Sequence, residues 1–431
     1  MARARHIRPA WLPHIASTLP RCSLPNRRFS SAAAASVRQT ASATPPANLR
    51  FAVGGDHVKI FPAGAEDSSV SLSHEQLREN CRCSECYIGL AHQRKGVEIG
   101  QGVKVESIRP LPAVPGTGHE VWVELTFSDG HHGILPIDLT PPLLPTRIAK
   151  TLWQHTPQAA DPIDYTTTLH DDAHLLALYE QLERNGLVRV FNAPRTAGAV
   201  KTLAERLGGM VRPTVYGETF HVTANRAPDN QAYTSLALPP HTDLPYLDSP
   251  PGVFLFHCRS PAQQGGGLST YVDGFYVAEK MRREHPEEFE TLTQVKVPFR
   301  DVPEHHEWDL MAEHSTIAVE HRIIKRITFN EAARYSLLAW AVTTPQMDAF
   351  YSAIRTFRRL VSDPSHTHHI AMGAGEITVF DNHRVLHGRT AFTGGGREME
   401  GGYLEWSNVR GFMRRIMRRH MDGTAGGYMH T

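Results

Sequence analysis

The feature that most limits the fold of this 431-residue chain is a long amphipathic helix set late between two apolar, strand-like runs. Val253-Phe254-Leu255-Phe256 is apolar at every position, as a strand buried on both faces is. Glu376-Ile377-Thr378-Val379-Phe380, which follows Gly375, reads as a second strand. Between them Thr344-Pro345 opens a helix, with Thr344 expected as N-cap and Pro345 as its first residue. Met347, Phe350, Tyr351, Ile354, Phe357 and Val361 recur near a 3.6-residue period and make its apolar face. Strands that enclose a late helical insertion suit a mostly β, α+β fold, a double-stranded β-helix of the jelly-roll kind. His170 to Asn185 and Val200 to Leu207 also read as helices.

The chain ahead of this region is different in kind. Val121, Val123, Leu125 and Phe127 share one face of a strand that ends in the turn Ser128-Asp129-Gly130. Thr140-Pro141-Pro142-Leu143-Leu144-Pro145 reads as a boundary. The expected division is a small β-rich domain over 51–145 and the double-stranded β-helix over 146–431. No Asp or Glu precedes Asp56, whereas Arg3, Arg5, Arg8, Arg21, Arg27, Arg28, Arg38 and Arg50 all fall in the first 50 residues. That pattern is expected of a mitochondrial transit peptide over 1–29, cut after Phe29, with a disordered Ala/Ser/Thr/Pro linker over 30–50. The mitochondrial matrix is the expected location, the cytoplasm the alternative. Without residues 1–29 the balance of 45 basic and 44 acidic residues turns mildly acidic, and no basic stripe for nucleic acid remains. No apolar run approaches the roughly 18 residues of a membrane span.

Three residues point to a mononuclear metal. In an extended His241-Thr242-Asp243 the imidazole and the carboxylate point to the same side. His387, just beyond the second apolar strand, is the candidate third ligand. Two histidines and one carboxylate on one face leave opposite positions open, which suits iron(II) that must bind a co-substrate and O2. Arg397, ten residues on, can fork onto a ligand carboxylate, with Arg389 as competitor. Ser269, after Gly265-Gly266-Gly267, offers a hydroxyl where the backbone runs close to a ligand.

Of the five cysteines, Cys81, Cys83 and Cys86 stand together in Cys-x-Cys-x-x-Cys. In a reducing compartment three soft thiolates suggest zinc, and His131 on the turn after the Val121–Phe127 strand is the candidate fourth ligand. His132 is one residue away. A closed four-ligand site is structural. Three reduced buried thiols are the simpler reading. His305-His306 and His366, His368, His369 lack a carboxylate or thiol framework and read as solvated loops; Cys258 reads as a small apolar residue.

His241-Thr242-Asp243-Leu244-Pro245-Tyr246, Pro251-Gly252-Val253, Phe256-His257-Cys258, Val272-Asp273-Gly274-Phe275 and Glu400-Gly401-Gly402-Tyr403 resemble, in this order, the γ-butyrobetaine/trimethyllysine dioxygenase family. That family lies in the taurine-dioxygenase-like branch of the iron/2-oxoglutarate oxygenases. The resemblance runs from about Val70 to about Arg418. It implies iron(II) on His241, Asp243 and His387, 2-oxoglutarate and O2 as co-substrates with Arg397 on the far carboxylate, and zinc on the cysteines with His131. Ascorbate dependence and a homodimer are implied with it. A trimethylammonium group donates no N–H bond, so aromatic faces hold it. The family's cage corresponds to Tyr216, Phe220, Tyr233 and Tyr403, with Phe220 standing where the animal enzyme carries Trp. Asn230 and Asn330 match positions that bind the substrate carboxylate. Neutral Asn230, where the trimethyllysine enzymes carry Asp, favours hydroxylation of γ-butyrobetaine to L-carnitine over that of trimethyllysine, although Asp229 is adjacent. A non-catalytic quaternary-ammonium-binding protein on the same fold is the reading from another class.

Overall fold

The computed structural model describes residues 50–61, 69–89, 91, 93–111, 122–137, 148–157, 161–223, 231–302, 307–337 and 343–421. The expected transit segment, all of the linker but Arg50, Asn230 and His305-His306 lie outside them. The chain divides into two compact units. One runs to Ala113 and includes Val121–Leu135; the other comprises Val114–Glu120 and Pro136–Thr431.

In the first unit Arg50–Val53, His57–Phe61 and Val70–Ser73 form an antiparallel sheet. The helix His74–Glu79 follows, its N-terminus capped by the Ser73 hydroxyl, which accepts from the Gln76 amide. A second sheet joins Val105–Leu111, Trp122–Phe127 and His132–Pro136. Val123, Leu125 and Phe127 are buried while Trp122 and its alternates are half-buried, so the period of two holds despite the tryptophan on the outer face.

The second unit winds as a jelly roll. Thr219–Thr223, Val253–Ser260, Glu376–Asp381 and Glu398–Leu404 lie in one sheet, which Leu187–Phe191 and Ile163–Asp164 extend to six strands. Leu238–His241, Ser269–Asp273, His368–Ile370 and Val385–Arg389 form the other. From Thr219–Thr223 onward the strands of the roll alternate between the two sheets, except where Ser269–Asp273 and His368–Ile370 pair within one. Everything between those two is insertion. It holds the expected helix, but also the helices Gly274–Glu284 and Pro286–Gln294 and two β-hairpins.

The doubly apolar run is explained by packing on both faces. Val253 and Leu255 join Leu178, Leu203 and Ile377 in one buried cluster, while Phe254 and Cys258 join Tyr271, Phe380 and Tyr403 in another. The insertion helix spans Thr344–Val361, but Thr343 is its N-cap, not Thr344. A capping box needs Glu or Gln three residues on, and Gln346 meets that condition for Thr343, whereas Thr344 has Met347. The expected helix from His170 is two, Tyr165–His170 and Asp172–Asn185, because Asp171 caps the second by accepting from the Ala173 amide. Ala199–Gly208 covers the other early helix.

One ion pair joins the ends of two barrel strands where the first insertion helix starts. Arg384 and Asp273 side chains are fully buried, 2.8 Å apart at Nη2 and Oδ2, and Arg384 also donates to the carbonyls of Thr151 and Arg184. Asp273 accepts from the amides of Trp153, Phe275 and Tyr276. Removing one partner leaves the other charged and dry, so Arg384→Ala is expected to cost about 3–5 kcal/mol. Urea denaturation checks it, and a change within about 0.5 kcal/mol contradicts the argument.

Candidate metal centre and ligand cavity

His241 ends its strand and sits directly opposite His387 across the smaller sheet, with ring centroids 4.3 Å apart. Asp243 follows in a turn held from both sides. The Thr242 amide donates to the Phe329 carbonyl at 2.7 Å, and the Thr242 hydroxyl accepts from the Phe329 amide at 3.0 Å. The Asp243 amide donates to Asn382 Oδ1 at 2.8 Å, and Asn382 Nδ2 donates back to the Asp243 carbonyl at 3.1 Å and to Pro251 at 2.9 Å. Leu244 then takes a left-handed backbone, φ 54°, strain that this bonding holds in place. Nothing in the sequence pattern marked Asn382 for that task; only the fold brings it to the turn.

One donor atom from each of His241, Asp243 and His387 falls within 4.8 Å of the others. His241 Nε2 is 3.3 Å from Asp243 Oδ1, and His387 Nε2 is 3.7 Å from Oδ2. His241 Nδ1 donates to the Pro239 carbonyl at 2.9 Å, which leaves Nε2 as the lone-pair donor. Burial works against a charged Asp243, but His387 and His241 draw its carboxyl down to about 2. Burial holds His387 down to about 3, against the pull of Asp243. Burial also opposes charge on His241, yet its hydrogen bond to Asp243 leaves it raised. An anionic carboxylate facing an imidazole kept neutral is the donor set a divalent cation takes, and a cation there relieves the close approach of three ligating groups.

Two spaces open on the triad. One, a cavity of about 470 Å³, is lined by Tyr216, Phe220, Tyr233, Tyr246, Asn330 and Tyr403 with His241 and Asp243. Phe220 and Tyr403 stack at 5.5 Å, and Tyr216 tilts against Phe220 at 6.2 Å. Gly401 makes that stack possible, since a Cβ there would come 2.5 Å from Phe220 Cζ. The Tyr403 hydroxyl donates to Asp243 Oδ2 at 2.8 Å, so an aromatic wall of the cavity also orients the carboxylate. Asn330 Oδ1 accepts from the amides of Ala332 and Ala333. Asn330 Nδ2 lies 3.4 Å from the Thr242 carbonyl.

The second space, about 80 Å³, lies among His241, Asp243, His387, Phe256, Arg389 and Arg397. The two arginines differ. Arg389 donates to the carbonyls of Ala232, Thr234 and Leu236, so its terminal nitrogens pin that segment. Arg397 is buried between the Phe256 and Phe392 rings and forms no hydrogen bond or ion pair among the described residues. A buried guanidinium with no anion among the described residues, next to the three candidate ligands, is chemically suited to take a carboxylate. Ser269 departs from the expectation: it lines neither space, and its hydroxyl contacts Met372 Sδ at 3.3 Å. The glycines before it serve protein contacts instead. A Cβ on Gly266 would come 2.2 Å from the Ala391 carbonyl.

In the first unit Cys81, Cys83 and Cys86 Sγ lie 3.3, 3.6 and 3.5 Å from His131 Nε2. Tetrahedral zinc with ordinary Zn–S and Zn–N bonds sets sulfur and nitrogen about 3.6 Å apart. His132 is exposed and turned toward Thr126. Arg78, which the sequence did not mark, donates from Nη1 to Cys86 Sγ at 3.4 Å and from Nε to Asp129 at 2.9 Å, and Asp129 in turn accepts from the His131 amide. Burial pushes the Cys81 thiol up to about 12 without a cation.

Residues 149–403 match the taurine catabolism dioxygenase TauD, TfdA family, and residues 63–136 match the γ-butyrobetaine hydroxylase-like N-terminal family. The chain is 30% identical to the γ-butyrobetaine dioxygenase of Pongo abelii, over 80% of this chain and 91% of that protein. It is 29% identical to the mitochondrial trimethyllysine dioxygenase of Mus musculus, over 88% and 90%. A putative α-ketoglutarate-dependent taurine dioxygenase from Burkholderia xenovorans has a similar structure at a TM-score of 0.45 and 15% identity, over 59% of this chain and 91% of that one. With the family match spanning well over half its length, the chain belongs to the TauD, TfdA family, among the γ-butyrobetaine and trimethyllysine dioxygenases, and is a 2-oxoglutarate-dependent dioxygenase.

Proposed function

We propose that the protein hydroxylates γ-butyrobetaine at C3, giving L-carnitine, succinate and CO2 from γ-butyrobetaine, 2-oxoglutarate and O2. The observation that carries this reading is the aromatic-walled cavity of about 470 Å³ opening on the His241, Asp243 and His387 donors. Those three residues would hold iron(II), which when bound supplies the site where 2-oxoglutarate and O2 meet and C–H oxidation is coupled to decarboxylation.

The residues of the chain do the positioning. Arg397 receives the far carboxylate of 2-oxoglutarate by a charge-assisted fork. Tyr216, Phe220, Tyr233 and Tyr403 present ring faces to the trimethylammonium head, each worth about 0.5–2 kcal/mol. Asn330 takes the substrate carboxylate at the opposite end, the role the family resemblance also gives Asn230, so one methylene between the two anchors faces the triad. Tyr403 acts twice, through its face on the substrate and through its hydroxyl on Asp243. In the first unit Cys81, Cys83, Cys86 and His131 hold a structural zinc, with Arg78 offsetting the thiolate charge.

Arg397→Ala is expected to raise the KM for 2-oxoglutarate by about 100-fold, because a buried carboxylate loses its bidentate partner. Initial rates against 2-oxoglutarate check it. A shift confined to Arg389→Ala would move the role to that residue.

Assay of succinate release with γ-butyrobetaine and trimethyllysine tests the substrate. Coupled turnover of γ-butyrobetaine in preference is the expected result. Preference for trimethyllysine selects the other branch, and absence of 2-oxoglutarate decarboxylation with either selects a binding protein.

A further inference from the structure

We infer that Asp301 supplies the negative charge that recognises the quaternary ammonium head, so that the cage works as an anion-backed cation site and not by aromatic faces alone. The inference rests on the trimethylammonium reading above. Asp301 ends the strand Lys296–Asp301 of the insertion and lines the large cavity with Tyr216 and Tyr246. Its Oδ2 accepts from the Tyr216 hydroxyl at 3.0 Å. The Tyr216 and Tyr246 hydroxyls are 3.2 Å apart, and with the Tyr216 proton directed to Asp301, Tyr246 is the donor of that contact.

Two features make the carboxylate more than a hydrogen-bond anchor. It forms no ion pair among the described residues. Its neighbour Arg300 also lines the cavity but is paired with Asp309, with Nε and Nη2 on its two oxygens at 2.8 and 2.6 Å. Glu331, the other carboxylate of the insertion at this cavity, is paired with Arg334 at 3.1 Å and Arg358 at 2.5 Å. Among the described residues Asp301 is therefore the insertion carboxylate at this cavity without an ion-pair partner. It lines a cavity shared by the Tyr216, Phe220, Tyr246 and Tyr403 rings and by the polar Arg300, Asn330 and Glu331, and beside those rings a fixed charge acts through a lower dielectric than in water.

The Tyr216 hydroxyl carries the effect inward. A phenol that donates to a carboxylate becomes more electron-rich, and its ring face attracts a cation more strongly. Sequence pattern alone did not mark Asp301, because it lies 85 residues from Tyr216 and next to an arginine that pairs elsewhere.

The test replaces the charge and keeps the shape. In Asp301→Asn the KM for γ-butyrobetaine is expected to rise about tenfold, while the KM for 2-oxoglutarate stays within about twofold. The preference for γ-butyrobetaine over 5,5-dimethylhexanoate, which has carbon in place of the ammonium nitrogen, should shrink by the same factor. Equal loss on both compounds would mean a merely structural role and overturn the inference. So would loss confined to trimethyllysine, since that would put Asp301 at the α-ammonium. Calorimetric binding of tetramethylammonium needs no turnover and should weaken about tenfold in the variant. If the unaltered enzyme hydroxylates neither trimethylammonium compound, the substrate reading fails, and unchanged tetramethylammonium binding then sinks the Asp301 inference separately.

Discussion

Asp243→Ala is expected to lower succinate release by at least about a thousandfold and to weaken iron(II) binding with it, while the circular dichroism spectrum is unchanged. The size follows from the donor set. Asp243 is the only anionic group among the three candidate ligands and sits between both imidazoles. It is also the acceptor of the Tyr403 hydroxyl, so its loss leaves a buried phenol without its partner. The turn itself survives, because its hydrogen bonds run through the Asp243 backbone, Thr242 and Asn382. Turnover and iron affinity near those of the unaltered enzyme would remove the triad from the mechanism. Asn382→Ala makes a graded companion: it loosens the turn and keeps the ligand, so iron affinity should fall less.

Removal of zinc, by a strong chelator or by Cys81→Ala, should unfold the first unit. Structural zinc contributes an apparent 10–16 kcal/mol in small zinc peptides, about as much as a domain's whole stability. Without the cation this unit keeps a thiol cluster around one imidazole, with Arg78 directed at the Cys86 sulfur. Hydrogen exchange over residues 70–94 and 122–135 is the measurement, alongside metal analysis near one zinc per chain. Protection retained in a zinc-free chain defeats the assignment.

Residue type and local spacing carried much of this in advance. His241-Thr242-Asp243 and Cys81-x-Cys83-x-x-Cys86 are short segments whose spacing alone keeps their donors close together, although Phe329 and Asn382 hold the turn that aims Asp243. The helix Thr344–Val361 was legible because periodicity is a local property, and its cap was misplaced by one residue because Thr343 and Thr344 compete for the same role. Ser269 misled because a glycine run marks close backbone approach without saying to what; here it is the Ala391 carbonyl.

Other assignments had no local signature. Arg389 and Arg397 are eight residues apart and chemically identical, and only packing commits one to the carbonyls of Ala232, Thr234 and Leu236 and leaves the other facing the small space. Asn382, Arg78 and Asp301 acquire meaning from partners 139, 51 and 85 residues away, respectively. The amino-acid order by itself determined which chemistry is present: the donor types, their short-range spacing and the periodicities that make strand and helix. The tertiary structure alone decided which charges are neutralised and which stay free, because electrostatic compensation depends on distance through space, and the winding of the two sheets sets those distances.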